Sequence, residues 1–139
     1  MPIVGIGLDL VKIARVEAIA RRWQGRFLQR VYTEEERRVS FGRACPYASL
    51  AGRFAAKEAM LKALGTGWTA GVSWQDIQVL NDIHGRPIAT VQGRTATLAQ
   101  QAGVTCIHVS LSHDGDYAMA EVILTNDTQG APRPTTAVD

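Results

Sequence analysis

The order of helical and strand-like segments most constrains the fold of this chain. Residues 50–64, LAGRFAAKEAMLKAL, consist mainly of strong helix formers and stop at Gly65, which predicts a helix closed by a glycine. Two hairpin patterns follow, over 76–92 and 105–124, with a short helix predicted over 94–102 between them. Helices early and antiparallel hairpins late predict an α+β fold.

One short strand and a long amphipathic helix begin the predicted fold. Glycine and β-branched residues over 3–9 predict the strand, which ends at Asp9. From 11 to 28, apolar residues recur at steps of three and four, the period of an amphipathic helix with arginines on its other face. We expect Trp23 and Phe27 on the buried face of this helix.

A capping box and a proline mark the next boundaries. Thr33 is followed three residues later by Glu36, a pattern that opens a predicted helix over 34–42. Pro46 predicts a loop between this helix and the next. Ser49 is the predicted N-cap of that next helix.

The charged residues divide unevenly along the 139 residues, although the formal net charge is only +2. Residues 1–62 carry 12 Lys and Arg against 6 Asp and Glu, whereas residues 63–139 carry 3 against 7. Residues 12–30 contain six basic residues and only one acidic residue, Glu17. This concentration predicts a negatively charged partner. Hydrophobic residues at 46% exclude wholesale disorder, and the apolar runs are too short to cross a bilayer.

The length predicts a single domain over residues 1–126. The polar, proline-containing stretch 127–139 is expected to be a disordered tail. Cys45 and Cys106 are too few for a disulfide framework and lack the spacing of metal ligands. We expect both to be buried or half-buried free thiols of a cytoplasmic protein, since the N-terminal residues show no secretory signal.

An acid at a strand end and a charged column on a helix are the first candidates for chemistry. Glu58 and Lys62 lie one turn apart on the predicted helix, with Arg53 and Lys57 beside them. Mg²⁺ is usually held by one or two carboxylates, so Asp9 and Glu58 suit it, with Lys62 for phosphate charge. Two plainer alternatives remain: an exposed Glu58–Lys62 pair worth about 0.3–0.5 kcal/mol, and Asp9 as a helix cap.

A glycine-flanked hydroxyl and a histidine complete the candidates. Gly65, Thr66 and Gly67 could bring backbone N–H groups close to a phosphate, although a simple helix C-cap explains the same residues. His113, placed by the pattern at the tip of the second hairpin, could bind a phosphate or take a proton. The alternative for His113 is an inert surface residue.

Four segments resemble, in order and spacing, the holo-[acyl-carrier-protein] synthases, the small bacterial group of 4′-phosphopantetheinyl transferases. They are GIGLDLVKIARVEAI, RVYTEEE, RFAAKEAMLKALGTG and VSLSHDGDYAMAEVIL. The likeness spans residues 3–124, and the combination of GIG-x-D, F-A-x-K-E-A-x-x-K-A-x-G-T-G and S-L-S-H makes it specific. The turn ND-IHG-RP is also similar to a turn of this family.

The resemblance implies the 4′-phosphopantetheinyl transferase fold and a Mg²⁺-dependent reaction. The phosphopantetheine arm of coenzyme A passes to a serine of an apo-acyl-carrier protein of fatty-acid or polyketide synthesis, and adenosine 3′,5′-bisphosphate leaves. By motif position, Asp9 and Glu58 hold the metal, and Lys62 neutralises phosphate charge or helps the leaving group.

The same motif positions imply a binding site for coenzyme A. Arg53 and His113 lie around it, and Gly65, Thr66 and Gly67 line its phosphate path. The resemblance also implies a homotrimer with active sites between neighbouring subunits, so that a single chain is incomplete.

The resemblance implies a partner for the basic first helix, the acidic acyl-carrier protein; the alternative is that its arginines form an ordinary solvated helix face. Arg15, Arg22 and Arg26 are the residues expected to meet it. Arg21 lies about 100° around the helix from Arg22 and is not expected to share that face. Pairing of this kind mainly raises the association rate and selects the partner.

The group that takes the serine proton stays open at this point. Glu58 could do so directly or through a metal-held water, and the His113–Asp114 pair is a second candidate. Glu36, within the matching YTEEE segment, could orient that water.

Two other functions use the same residues. A nucleic-acid-binding module could be built on the basic helix with its aromatic residues, although a pI of about 8.7 is mild for that role. A Mg²⁺-dependent nucleotide hydrolase could use the same two carboxylates.

Overall fold

Five helices and six strands make up the part of the chain that the computed structural model describes, residues 2–23, 25–127 and 136–137. In chain order they are β1 (Ile3–Lys12), α1 (Ile13–Trp23), α2 (Gly25–Val31), α3 (Glu34–Phe41), α4 (Pro46–Leu64), a 3₁₀ turn (Trp74–Asp76), β2 (Ile77–Asn81), β3 (Pro87–Val91), α5 (Gly93–Gln101), β4 (Cys106–Asp114), β5 (Tyr117–Thr125) and β6 (Thr136–Ala137). The predicted α+β class is confirmed.

The main sheet is antiparallel, with strand order β1-β5-β4-β6, and β2 pairs with β3 in a separate hairpin. Helix α4 packs on one face of the main sheet against β1 and β5. The core between them is aliphatic, with Leu50, Met60 and Leu61 of α4 fully buried together with Val122 and Leu124 of β5. On the opposite face of β1 and β5, Ile6, Leu8, Leu10 and Met119 are exposed, and none of the described helices packs there.

Two glycines let β1 approach α4 more closely than side chains would allow. A Cβ on Gly5 would lie 1.9 Å from the carbonyl oxygen of Ala63, and one on Gly7 would lie 1.8 Å from that of Ala59. Any side chain at either position must therefore push the strand away from the helix. Asp9 lies on β1 immediately beyond this contact.

A buried lysine ties α4 to three other parts of the fold. Lys57 is fully buried, and its Nζ donates to the carbonyl of Val31 (2.7 Å), to Glu36 Oε1 (2.7 Å) and to the carbonyl of Trp74 (3.0 Å). Glu36, also buried, accepts the Val79 N–H through Oε2 at 2.9 Å. Burial holds the pKa of the Lys57 ammonium below its ordinary value, although Glu36 acts in the opposite direction. Every proton of the ammonium has an acceptor, as a buried charge requires.

The capping box that opens α3 is confirmed. The Glu36 N–H donates to Thr33 Oγ1 and the Thr33 N–H donates to Glu36 Oε1. The interpretation of Glu36 as a water-orienting residue is wrong, because its carboxylate is buried and bound to the N-cap, to Lys57 and to β2.

The single helix predicted over 11–28 is wrong in three respects. β1 continues to Lys12, and the helical residues divide into α1 and α2. Residue 24, between the two helices, lies outside the described residues. Phe27 packs against the core as expected, but Trp23 is 51% exposed.

The proposed loop around Pro46 is also wrong, because Pro46 occupies the first turn of α4. The first-turn N–H groups of a helix have no intrahelical acceptor, so proline costs nothing there. Cys45 takes the N-cap position, and Ser49 lies inside α4, where its Oγ accepts from Arg53 Nη1 at 2.7 Å. Cys45 is exposed, contrary to expectation, whereas Cys106 is buried; both thiols are free.

Both predicted hairpins are present, but the second has a shorter turn than expected. β4 runs through His113 and Asp114, and Gly115, at φ +57°, supplies the turn. His113 is therefore a strand residue paired with Ala118 and does not lie at the tip.

The disordered tail predicted over 127–139 falls mostly outside the described residues. The exceptions are residue 127 and β6, which pairs with Cys106 and Ile107. Among the helices that the structure describes, none is both long and apolar enough to cross a membrane.

Candidate active site

Asp9 and Lys62 form an ion pair that joins the strand to the helix. Lys62 Nζ donates to Asp9 Oδ1 at 3.0 Å and to the carbonyl of Leu8 at 2.9 Å. Lys62 is thus paired across the fold, and the expectation of a simple Glu58–Lys62 pair along the helix is wrong. The cap interpretation of Asp9 is wrong as well, because α1 begins only at Ile13.

Glu58 shares a cavity of about 240 Å³ with Asp9, walled by Arg15 of α1 and Phe54 of α4. Burial raises the pKa of the Glu58 carboxyl above its ordinary value, and the negative charge of Asp9 raises it further. A hydrogen bond with Trp68 and the positive charge of Lys62 lower the same pKa. The cavity therefore holds two carboxylates close enough to repel each other.

Two mutually repelling carboxylates fit a hard divalent cation. Mg²⁺ takes one or two protein carboxylates and completes its shell with water and phosphate oxygens. Within the described residues, no three His, Cys, Asp or Glu side chains are grouped so as to enclose a metal without such help. Asp9 and Glu58 are thus suited to a cation shared with a phosphate-bearing substrate, and ill suited to a closed structural site.

The loop that follows α4 is first of all a helix cap. Gly65 adopts φ +74° and its N–H donates to the carbonyls of Leu61 and Lys62, which confirms the C-cap interpretation. Because this N–H is used by the helix, the predicted phosphate contact rests on Thr66 and Gly67. Gly67 also has a positive φ, +61°, and no atom approaches the space where its Cβ would be.

A second cavity, of about 350 Å³, lies on the other side of α4 between the β2–β3 hairpin and β4. Arg43, Arg53, Asn81 and His113 are among its lining residues, and no carboxylate is. Asn81 Oδ1 accepts from Arg53 Nη2 at 2.6 Å and from Arg43 Nη2 at 2.9 Å. Burial lowers the pKa of Arg53, and the like charge of Arg43 lowers it further. Two guanidinium groups here share one neutral oxygen.

The predicted site residues therefore fall into two groups within one chain. Asp9 and Glu58 line the first cavity and Lys62 is paired with Asp9, whereas Arg53 and His113 line the second cavity. Such a division leaves each cavity with only part of the expected chemistry.

The sequence profile of the family described as the 4′-phosphopantetheinyl transferase superfamily matches residues 5–122. The chain belongs to this superfamily. A holo-[acyl-carrier-protein] synthase from Desulforudis audaxviator (strain MP104C) is 41% identical over 127 residues, which cover 91% of this chain and 96% of that protein. The resemblance to that group is confirmed, and the chain is an enzyme of the phosphopantetheinyl transferase type.

Solved structures agree with this assignment. The crystal structure of holo-[acyl-carrier-protein] synthase from Neisseria meningitidis superposes with a TM-score of 0.82 at 31% identity, covering 90% of this chain and 100% of that one. The Helicobacter pylori enzyme, in complex with coenzyme A, gives a TM-score of 0.76 at 31% identity, covering 86% of this chain and 99% of that one.

The structure places the three predicted partner-binding arginines of this transferase at two points. Arg15 lines the first cavity beside Asp9 and Glu58. Arg22 and Arg26 lie with the exposed Trp23 around a shallow groove at the far end of α1.

Arg21 does not line this groove. It pairs with Glu17 and stacks over the ring of Tyr47, 5.3 Å from the ring centroid.

Sequence reasoning missed three residues of this transferase. Asn81 belongs to the quoted turn motif, which could have indicated it, but it stands in the sequence as a plain turn residue. Arg43 has no local signal, because the hairpin that makes it part of a cavity lies almost forty residues later. Trp68 follows Gly67 in the chain, and its hydrogen bond lowers the pKa of Glu58. No sequence motif indicates this contact.

Proposed function

We propose that this transferase moves the 4′-phosphopantetheine arm of coenzyme A to a serine of an apo-acyl-carrier protein and releases adenosine 3′,5′-bisphosphate. The single observation that carries the proposal is that Asp9 and Glu58 line one cavity, with Lys62 paired to Asp9, in a chain of this superfamily. Phosphoryl transfer needs alignment and charge neutralisation more than covalent help from the protein, and these three groups supply both.

Asp9 and Glu58 are the proposed ligands of Mg²⁺. When bound, the cation would neutralise pyrophosphate charge and favour departure of the nucleotide. Lys62, held beside Asp9 by its hydrogen bonds, is poised to place its ammonium against the same phosphates. Thr66 and Gly67 extend the phosphate contact from the end of α4.

The arginine-lined cavity is the proposed site for the nucleotide end of coenzyme A. Arg43 and Arg53 share the amide oxygen of Asn81, and no carboxylate lines the cavity. Arg53 is buried and also donates to Val79 and Ser49, so the exposed Arg43 is the guanidinium that would contact a phosphate dianion, with the charge of Arg53 behind it. His113 adds a further donor on the same wall. The 3′-phosphate is the group of coenzyme A that fits this pair.

We propose a homotrimer in which the first cavity of one copy meets the second cavity of its neighbour. Coenzyme A carries a pyrophosphate and a 3′-phosphate, and the groups proposed to bind them lie at two separate cavities of one chain. This division supports a site shared between copies. The open face of the main sheet supports it as well. Ile6, Leu8 and Leu10 of β1 are 59%, 51% and 59% exposed, and Met119 of β5 lies beside them. Such a contiguous apolar face marks an interaction site.

The acyl-carrier protein is the proposed partner of Arg15, Arg22 and Arg26. Their positions from the rim of the first cavity to the end of α1 would lead an acidic helix toward Asp9 and Glu58. We further propose a cytoplasmic location, which the free thiols of Cys45 and Cys106 support.

The test is an intact-mass assay with purified chain, Mg²⁺, coenzyme A and an apo-acyl-carrier protein. Transfer adds about 340 Da to the carrier protein, the mass of the phosphoryl-linked arm. No added mass with an authentic carrier protein would contradict the proposal. Release of adenosine bisphosphate without any acceptor would instead favour a nucleotide hydrolase.

A further inference from the structure

A single carboxylate stands at the centre of the open face of the main sheet. β5 is the strand between β1 and β4, and Glu121 is the middle residue of β5. It lies opposite Leu8 on one side and Ser110 on the other. Any copy of the chain that covers this face must therefore cover Glu121.

The surroundings of Glu121 offer it little compensation. Its neighbours on the same face of β5 are Met119 and Ile123, and Leu10 of β1 is a diagonal neighbour. Glu121 makes no ion pair within the part of the chain that the structure describes. It is hydrated in the isolated chain because it is exposed.

The other charged groups of this face lie toward its ends. Lys12 is opposite Tyr117, four residues along β5 from Glu121, about 13 Å at the usual rise of a strand. Asp114 lies at the end of β4. Among the described residues, His108 is a diagonal neighbour of Glu121, and its Nε2 is hydrogen-bonded to Thr125 Oγ1.

We propose that Glu121 weakens the association of this chain with itself, so that the apolar face assembles only above a threshold concentration. The inference rests on the proposed homotrimer. Covering the face removes the carboxylate from water and gives it apolar neighbours in exchange, which opposes association. Cyclic symmetry places the Glu121 of every copy in an equivalent environment, so each copy contributes the same penalty.

The experiment compares wild type with Glu121→Gln by sedimentation velocity over a dilution series of the full chain. Glutamine keeps the shape and removes the charge, so the dissociation constant of the assembly is expected to fall by about tenfold or more. Glu34→Gln, on the exposed first turn of α3, removes the same charge elsewhere and is expected to leave assembly unchanged. Transfer activity should survive greater dilution in Glu121→Gln than in wild type.

Two results would overturn the inference: equal dissociation constants for wild type and Glu121→Gln, or weaker assembly of the variant, which would mean that a neighbouring copy supplies a cation to Glu121. A wild-type chain that stays monomeric at every concentration yet transfers at full rate would refute the homotrimer and the inference together. A chain that assembles as expected but transfers nothing would refute only the proposed reaction.

Discussion

Lys62 of α4 reaches across to Asp9 of β1, at an Nζ–Oδ1 distance of 3.0 Å, although Glu58 lies one turn away on its own helix. The Lys62 side chain is 54% exposed and that of Asp9 is 17% exposed. A pair this accessible is worth about 0.2–1 kcal/mol in stability. The Lys62–Asp9 pair therefore adds little to stability, and its main effect is to place two charges beside Glu58.

Asp9→Asn should reduce transfer by about 10²–10³-fold, because it removes one of the two carboxylates proposed to hold the Mg²⁺ that neutralises the phosphate charge. The melting temperature should barely change, since the lost pair is partly exposed. The intact-mass rate and a thermal melt measure the two effects. Glu35→Gln, which breaks an exposed ion pair with Arg38, is the control and should change neither. Near-wild-type transfer by Asp9→Asn would contradict the metal-ligand role.

Arg43→Ala should raise the Kd for coenzyme A by about tenfold, because a charge-assisted hydrogen bond is lost. Dephospho-coenzyme A, which lacks the 3′-phosphate, should bind both proteins alike. Isothermal titration calorimetry with the two ligands measures this difference, and Arg38→Ala serves as a surface-arginine control. An equal loss for both ligands would place the 3′-phosphate elsewhere.

Asp9→Asn and His113→Ala should each transfer more slowly than wild type when alone, and co-assembly of the two should recover part of the lost activity. If one copy supplies Asp9 and its neighbour supplies His113, random mixing restores about a quarter of the sites. Transfer rates of co-expressed variants measure the recovery. Adding Leu8→Asp to both chains should abolish it by placing a charge on the open sheet face. Failure of the mixture to recover, with assembly intact, would mean that both residues act within one chain.

Lys57→Met should cost about 3–5 kcal/mol in the free energy of unfolding, because it leaves Glu36 buried without its partner. The double variant Lys57→Met/Glu36→Leu should lose less than the sum of the single changes, since no unpaired charge remains. Urea denaturation measures each value. Lys62→Met, at an exposed pair, should lose less than about 1 kcal/mol. Strict additivity would contradict the coupling.

Trp23→Ala and Arg22→Ala should raise the KM for the acyl-carrier protein several-fold with little change in kcat. An exposed tryptophan flanked by arginines is typical of residues that anchor a partner. The effect of Arg22→Ala should shrink as salt rises, whereas that of Trp23→Ala should persist. Steady-state kinetics at two salt concentrations test this. An unchanged KM for both variants would exclude the groove from docking.

The sequence predicted what depends on local pattern. The capping box of Thr33, the glycine that ends α4 and the two hairpins each follow from residues within a few positions of one another. The motif positions also brought Asp9 and Glu58 to one place, as the structure does.

Burial of charge could not be predicted in the same way. The helical spacing sets Arg53 and Lys57 beside an exposed column, yet both are buried because their acceptors come from distant segments. The carbonyl that receives Arg53 Nε belongs to Val79, twenty-six residues later. Trp23 is the opposite case. The helical spacing of apolar residues predicts that it is buried, but it is exposed, because the spacing does not show where the core ends.

Gly5 and Gly7 carry no functional group, but they affect how close the proposed metal ligands lie to each other. The helix can rest on the strand backbone only because these two positions carry no Cβ, and Asp9 and Glu58 belong to the two surfaces so joined. An added Cβ at either position would push β1 away from α4. The distance between the Asp9 and Glu58 carboxylates would then increase, although both residues would still be present. Gly5 and Gly7 therefore help to set the spacing of the two proposed metal ligands, and alanine at either position should lower transfer although neither ligand is replaced.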